Sequence, residues 1–441
     1  MDWDSRALAV IDCLERAGHR AVLVGGCVRD RLLRIEPHDY DAATSALPEE
    51  IEVACAGLRC VKTGVKHGTI TVLSGGLPVE VTTFRREGTY SDHRHPDRVE
   101  FTTDLAQDLS RRDFTINAMA WGRDGLVDLF GGREDLKRRL VRCVGLPSRR
   151  FEEDALRLLR GLRLCAQLGF STHPDTAAAI RRYAGQLSHV SWERISAEWI
   201  RLLCSPGAGR VLLEFPEVVA QILPELAPSI SFDQRNPHHC YDVYTHSVKA
   251  LEGVPPKAGL RLAALLHDVG KPQSFSVDDR GVGHFYGHAK VSAALADQAL
   301  RRLRLDNATR EKAVALVARH HLPVEPTQRW AGRWLARLGE EQFFDLLALK
   351  RGDVHACAPQ EEETDVLDRA EKEARELLGR RPCLTLRDLA VNGRDAMEAG
   401  LSGQAVGRAL RELLEQAAEG CVPNEREALL ARLRQMGEAL P

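Results

Sequence analysis

Residues 21–44, AVLVGGCVRDRLLRIEPHDYDAAT, decide how the first part of the chain is read. AVLV is a short apolar run closed by Gly25 and Gly26, the pattern of a buried strand that turns into a short helix. The first amides of that helix face outward and suit a phosphate, and Arg29, one turn in, offers a forked charge to the same anion. Asp39 and Asp41 follow, two apart. On a strand rising roughly 3.3 Å per residue they project to one face with Cα atoms about 6–7 Å apart. Carboxylates so placed repel each other unless a cation lies between them. Mg²⁺ ions about 4 Å apart would clamp an attacking hydroxyl and a departing pyrophosphate. A bare Asp-x-Asp is more often a solvated turn, which Pro37 and His38 favour; the Gly-Gly turn at this spacing tips the reading to a metal site. Glu80, in the strand-like VEVTTF, is a third carboxylate for it from a neighbouring strand.

Outward from this stretch, AVLVGG, GTITVL and LPVEVTTF alternate with helical segments, an α/β pattern for residues 20–140. From Arg149 on, EEDALRLLRGLRLCAQLGF, TAAAIRRYAGQL and ERISAEWIRLL are amphipathic helices broken by Gly and Pro, and the remainder reads as wholly helical. Nine of the sixteen histidines lie between His238 and His355, setting off a separate unit. A chain of 441 residues is too long for one ordinary core. The 44% hydrophobic and 28% charged content is that of a globular protein, without a membrane-length apolar run or a leader-like start. The opening residues read as a helix of a cytoplasmic protein. Eleven cysteines without a CxxC pair fit reduced core thiols. A net charge of −2 excludes a globally basic nucleic-acid coat, so an RNA would have to meet a local patch.

VGGCVRDRLL followed by DYDAAT resembles the nucleotidyltransferase superfamily, and RRDFTINAMAW from Arg111 resembles the second motif of class II tRNA nucleotidyltransferases and bacterial poly(A) polymerases. The resemblance continues through EDALRLLRGLRLCAQLGF, ERISAEWIRLL and LAVNGRDAMEAGLSGQAVG, over nearly the whole chain. It implies an α/β nucleotidyltransferase head with a small mixed sheet (1–145), an all-α neck (146–225), an HD-type helical body (226–370) and a helical tail that anchors tRNA (371–441). It also implies that Arg111 contacts the nucleotide and Asp113 helps read the ribose 2'-hydroxyl, with Arg112 open to a helix-cap role. Arg34 departs from the family, which has Gly after the Leu-Leu pair.

Asp154 and Arg157, three apart in EEDALRLLR, are expected on one face of a helix. Cytosine and adenine each present an exocyclic amine donor beside a ring-nitrogen acceptor. A carboxylate accepts from the first while a guanidinium donates to the second; uracil and guanine reverse the order. One Asp-Arg pair can therefore admit C and A, as the resemblance also implies, with Arg160 and Arg163 extending the basic stripe to the triphosphate. The expected partners are CTP, ATP and the tRNA 3' end. KTGVKHGTITV and TTFRREGTYSDHRHPDRVEF look like the CCA-adding branch, whereas poly(A) polymerases tend toward a basic, aromatic segment at the first. The second matches a mobile loop whose shortening accompanies CC-only addition, so its presence favours adding the final A. A poly(A) polymerase is the alternative, and a tRNA-binding repair phosphohydrolase another.

HHCYDVYTHSVKAL, RLAALLHDVGK, GHFYGHAKVSA, ARHH and LKRGDVHA together resemble an HD-type phosphohydrolase domain. Its core would be His246, His267, Asp268 and Asp353 around a divalent metal of undetermined identity. His288 and His320 could complete a second position, with His321 as substitute. By analogy the substrates are 2',3'-cyclic and terminal phosphates on damaged tRNA. The sequence leaves the oligomeric state open.

Overall fold

The computed structural model of the chain describes residues 3–65, 68–87, 99–235, 240–357 and 361–438. Parts of the two segments read as favouring CCA addition, Lys66, His67 and residues 88–98, lie outside them. The chain divides into two compact units, Met1–Pro224 and Glu225–Pro441. In the first, strands β1 (Ala21–Val24), β2 (Tyr40–Thr44), β3 (Arg59–Gly64), β4 (Thr69–Ser74), β5 (Leu77–Thr83), β6 (Arg85–Glu87), β7 (Val99–Phe101), β8 (Met119–Gly122) and β9 (Gly125–Asp128) include one seven-stranded sheet, ordered β3-β4-β5-β2-β1-β8-β9. Only β2 and β5 pair in parallel within it, so the sheet is mixed, as expected.

β1 is apolar throughout because all four of its residues are buried, and both its edges are paired. Each such Val or Leu contributes roughly 1.5–3 kcal/mol relative to exposure. Val22 and Val24 join Ala43, Phe84, Leu105, Leu109 and Ala120 in one cluster. The helix Ser5–Arg16 buries Ala7, Val10, Ile11 and Leu14 at helical spacing against β1, β4 and β5. This core holds the ends of β1, β2 and β8 side by side. Arg34, just past the helix Gly26–Leu32, sits at φ 62°, the left-handed conformation that glycine adopts without strain. The departure at this position is thus a side chain placed where the backbone favours Gly.

The remainder is not wholly helical. Leu140–Val141 pairs with Ser171–Thr172, and Ser276–Val277 with Gly283–His284, each a two-residue ladder too short to show a period in sequence. In the second unit the helix Ala258–Leu266 is buried from Gly259 to Leu266. Helices Val243–Glu252, Asn307–Val317 and Glu340–His355 pack around it. A second cluster joins Trp330, Leu335, Phe343 and Leu347 to Leu367, Ala370 and Ala374 of the helix Glu361–Gly379. The expected boundary at 370/371 therefore falls inside a helix that packs as one piece. The tail has its own core around Leu413, Leu429 and Leu433. Among the described residues no helix is long and apolar enough to cross a membrane.

Candidate active site

Gly25 ends β1 at φ 75° and its amide donates to the Met119 carbonyl of β8 (3.3 Å), so the first and second motifs meet at this turn. A Cβ on Gly25 would stand 3.3 Å from Arg112 Nη1 and 3.7 Å from Asp41 Oδ2, which shows how closely both approach the turn. Asp41 lies in β2, opposite Val24 on one side and Glu80 of β5 on the other. Asp39 lies one residue before β2 and is exposed. Burial pushes the Asp41 carboxyl up to about 6; Glu80 and Asp39 add to this, while Arg112 and Arg160 oppose it. The crowding of three carboxylates is what a bound divalent cation would relieve. Among the described residues these three do not form a closed set of ligand atoms; the closed sets lie in the second unit.

Asp108, which the sequence reading passed over, organises the arginines. Its fully buried carboxylate accepts from Arg111 Nε (3.0 Å) and Nη2 (2.7 Å) and from Arg112 Nη2 (3.1 Å). Burial opposes its charge, but the two guanidinium groups outweigh burial and hold the pKa below the usual range. Buried Asp113 behaves likewise, its charge held by Arg160 and Arg157. Arg160 donates to its Oδ2 through Nε at 2.8 Å, and the amide of Phe114 donates to Oδ1 at 2.9 Å. Arg29 departs from expectation. Its Nε donates to Asp30 (2.8 Å) and its Nη1 to Asn117 Oδ1 (2.8 Å), so its fork is committed to protein groups and buttresses the turn. Arg163 donates to Glu198 (2.5 Å) and Gln167 (3.0 Å).

The single helix expected to carry Asp154 and Arg157 is broken. The helix Pro147–Glu153 stops, Asp154 is extended at φ −153° and ψ 107°, and a new helix, Leu156–Leu168, begins. Asp154 accepts from the Leu156 amide (3.0 Å), the local bond by which Asp competes with helix continuation. Asp154 is held by Arg194 (Nη2 to Oδ2, 2.7 Å), and Arg157 pairs with Glu153 while reaching the Arg111 carbonyl at 3.4 Å. Arg194 and Glu153 were not singled out in the sequence. ERISAEWIRLL holds two arginines, Arg194 and Arg201, and nothing in its spacing marked out the first.

In the second unit, four imidazoles converge. Their Nδ1 atoms meet backbone carbonyls: His246 with Ala356 (3.3 Å), His267 with Ala264 (2.8 Å), His288 with Phe285 (2.8 Å) and His320 with Val317 (2.7 Å). A carbonyl only accepts, so Nδ1 carries the proton and each neutral ring presents a bare Nε2. Yet the Nε2 atoms of His246 and His267 stand 3.3 Å apart, and those of His288 and His320 3.1 Å apart. Facing lone pairs at such distances require positive charge among them. Asp268 spans both pairs: Oδ2 is 3.2 Å from His267 and 3.5 Å from His246, and Oδ1 is 3.4 Å from His288 and 3.6 Å from His320. Asp353 Oδ1 is 2.9 Å from His246.

Burial opposes a charged His267, but Asp268 and Asp353 outweigh it and push its pKa up to about 10; burial pushes His320 down. The donor set therefore fits divalent ions. Its closed sets are His246, His267 and Asp268; Asp268, His288 and His320; and His246, Asp353 and Cys357. His321 belongs to none of them. Lys271 and Cys357 were missed. Lys271 Nζ lies 2.7 Å from Asp268, and the LLHDVGK run, which places it three residues on, was the available signal.

Residues 21–142 match the poly A polymerase head domain family, 169–230 the probable RNA and SrmB-binding site of polymerase A, and 238–375 the HD domain family. The CCA-adding enzyme of Levilactobacillus brevis is 35% identical over 439 residues, 96% of each chain. That of Anoxybacillus flavithermus is 47% identical over 224 residues, 50% of this chain and 56% of its own. The crystal structure of the Bacillus stearothermophilus CCA-adding enzyme in complex with CTP is similar with a TM-score of 0.75 at 30% identity, covering 98% of this chain and 97% of that one.

Proposed function

The chain belongs to the CCA-adding enzymes, a family of tRNA nucleotidyltransferases, and on that premise we propose that it completes the 3' end of tRNA from CTP and ATP at the Gly25 turn. The observation that carries this is the register of Asp41 opposite Glu80 beside Gly25, with Asp39 at the strand entrance. Asp39 and Asp41, with Glu80 in support, hold the divalent ions, by expectation Mg²⁺. When bound, these ions supply charge stabilisation for the attacking hydroxyl and the departing pyrophosphate. Gly25 and Gly26 leave room for the triphosphate, and Arg112 and Arg160 bring positive charge to the same pole.

Asp154 and Arg157 read the base, one accepting from the exocyclic amine and the other donating to the ring nitrogen. Because they sit on separate segments, Arg194 and Glu153 act as positioning residues for them. Arg111, set by Asp108, lies beside Arg157 and contacts the nucleotide. Asp113 anchors Arg160 and remains the candidate for the ribose, and Arg163 extends the stripe. Regions 1–145 and 146–225 serve as head and neck; the tail, beginning after Gly379, anchors tRNA. Such a substrate points to the cytoplasm.

The histidine centre is a phosphohydrolase that clears 2',3'-cyclic or terminal phosphates from damaged tRNA. Four rings that turn their Nε2 atoms toward one another around Asp268 support this second activity. A divalent ion there supplies Lewis acidity toward a phosphate; Lys271 keeps Asp268 ionised and oriented. The two activities separate by mutation. Asp41→Ala is expected to abolish nucleotide incorporation and keep phosphate release, and Asp268→Ala the reverse. Incorporation surviving Asp41→Ala would refute the assignment, as would phosphate release surviving Asp268→Ala.

A further inference from the structure

We propose that Cys357 Sγ is a ligand of the ion held by His246 and Asp353, so that the histidine centre carries a sulfur donor and selects a thiophilic divalent ion, Co²⁺, Ni²⁺ or Zn²⁺, over Mg²⁺ or Mn²⁺. This rests on reading the cluster as a metal centre. One turn of chain at the end of the helix Glu340–His355 serves His246 three times. Asp353 Oδ1 lies 2.9 Å from its Nε2, and the Ala356 carbonyl accepts from its Nδ1 at 3.3 Å. The Cys357 amide then donates to the Val354 carbonyl (3.1 Å), which bends the chain back. Sγ thereby comes within 4.8 Å of the ligand atoms of both His246 and Asp353. Donor atoms around one tetrahedral ion, with bonds of roughly 2.0–2.3 Å, stand about 3.5 Å apart. A side-chain adjustment of about 1 Å closes the set on one ion.

The independent pointer to an ion is the pair of fully buried imidazoles. His246 and His267 face each other through Nε2 atoms at 3.3 Å, an arrangement that calls for positive charge between them, a proton on His267 in the free site and the metal ion once it binds. Sulfur decides which cation. Oxygen and nitrogen donors alone accept Mg²⁺ or Mn²⁺ readily, whereas a thiolate favours the later, softer ions. On binding, the metal–sulfur bond forms as the S–H bond breaks, and the proton leaves to solvent. No oxidant or reductant is involved.

The test uses the full chain loaded with Co²⁺ and freed of excess by dialysis. The wild type is expected to show visible ligand-field bands together with near-ultraviolet thiolate-to-cobalt charge-transfer absorption. Cys357→Ser and Cys357→Ala, checked for folding by circular dichroism, are expected to keep the ligand-field bands at saturating Co²⁺ and to lose the charge-transfer band. Their Co²⁺ affinity should fall at least about tenfold, the lower end for losing even an outer-shell partner, while Mn²⁺ affinity stays unchanged. Wild-type protein that holds Co²⁺ without the charge-transfer band would overturn the sulfur ligand and leave the metal centre standing. Variants that keep the band would overturn it equally. A wild-type chain that retains no Co²⁺ would overturn both.

Discussion

Replacing Asp41 with asparagine should make the protein more stable at pH 8 and leave it unchanged below pH 4. Burial first, then Glu80 and Asp39, push this carboxyl up to about 6 against the pull of Arg112 and Arg160. The folded chain therefore keeps the proton to about pH 6, whereas the unfolded chain releases it near the ordinary value of about 3.9. Between these values the folded state binds more protons, so stability from this group falls as pH rises and is lowest above pH 6. Two pKa units at about 1.36 kcal/mol each give nearly 3 kcal/mol as an upper bound. Partial exposure screens this to about 1–2 kcal/mol. The near-isosteric Asp41→Asn removes the charge, so its urea midpoint at pH 8, with chelator, should rise by that amount divided by the m-value. The gap should close between pH 6 and 4. Adding Mg²⁺ should then stabilise the wild type and not the variant, because only an ion that binds the folded state shifts the midpoint. A variant less stable than wild type at pH 8, or a gap independent of pH, would refute the reasoning.

Asp108→Asn leaves two part-buried guanidinium groups without their carboxylate, and loss of one partner from such a cluster costs about 3–5 kcal/mol. Chemical denaturation at pH 7 should show most of that loss. Because the folded pKa of Asp108 is depressed, the difference should shrink only as pH falls below the ordinary carboxylate range. Arg34→Gly relieves a left-handed conformation worth about 1–2 kcal/mol but adds backbone entropy to the unfolded chain, leaving a gain of about 0.5–1 kcal/mol readable as a higher Tm. Unchanged or reduced stability would mean that the Arg34 side chain compensates its own strain. Arg194→Ala should loosen Asp154 and raise UTP misincorporation relative to CTP by at least about tenfold, one bidentate contact's worth of discrimination. Unaltered selectivity would remove Arg194 from the base-reading machinery.

The head was legible because its decisive signals are local. AVLV followed by two glycines can hardly be read otherwise, and strand alternation in LPVEVTTF put Glu80 within reach of Asp41. The histidine centre was legible for a different reason, since few folds gather so many imidazoles in that order. Asp108 escaped although its partners are local: Arg111 and Arg112 stand three and four residues on, a spacing that reads as an ordinary surface pair until the fold buries the carboxylate. Another partner that escaped is long-range. Arg194, forty residues from Asp154, carries no spacing signal. The break at Asp154 was in principle readable, because Asp ahead of an apolar LRLL run is a helix start; the run of helix formers on both sides hid it. For Arg29, a basic residue near a Gly-Gly turn suggests an anion, and only the fold brings Asn117 within 2.8 Å of it.

Nucleotide addition itself is the most direct measurement. The full chain is given a tRNA transcript that lacks its 3' CCA, with CTP alone, ATP alone or both, and product length is read at single-nucleotide resolution. Growth by C alone with CTP, completion to CCA and arrest with both, and no product from Asp39→Ala or Asp41→Ala are expected. Open-ended A tails made without CTP, or extension by either aspartate variant, would contradict the account.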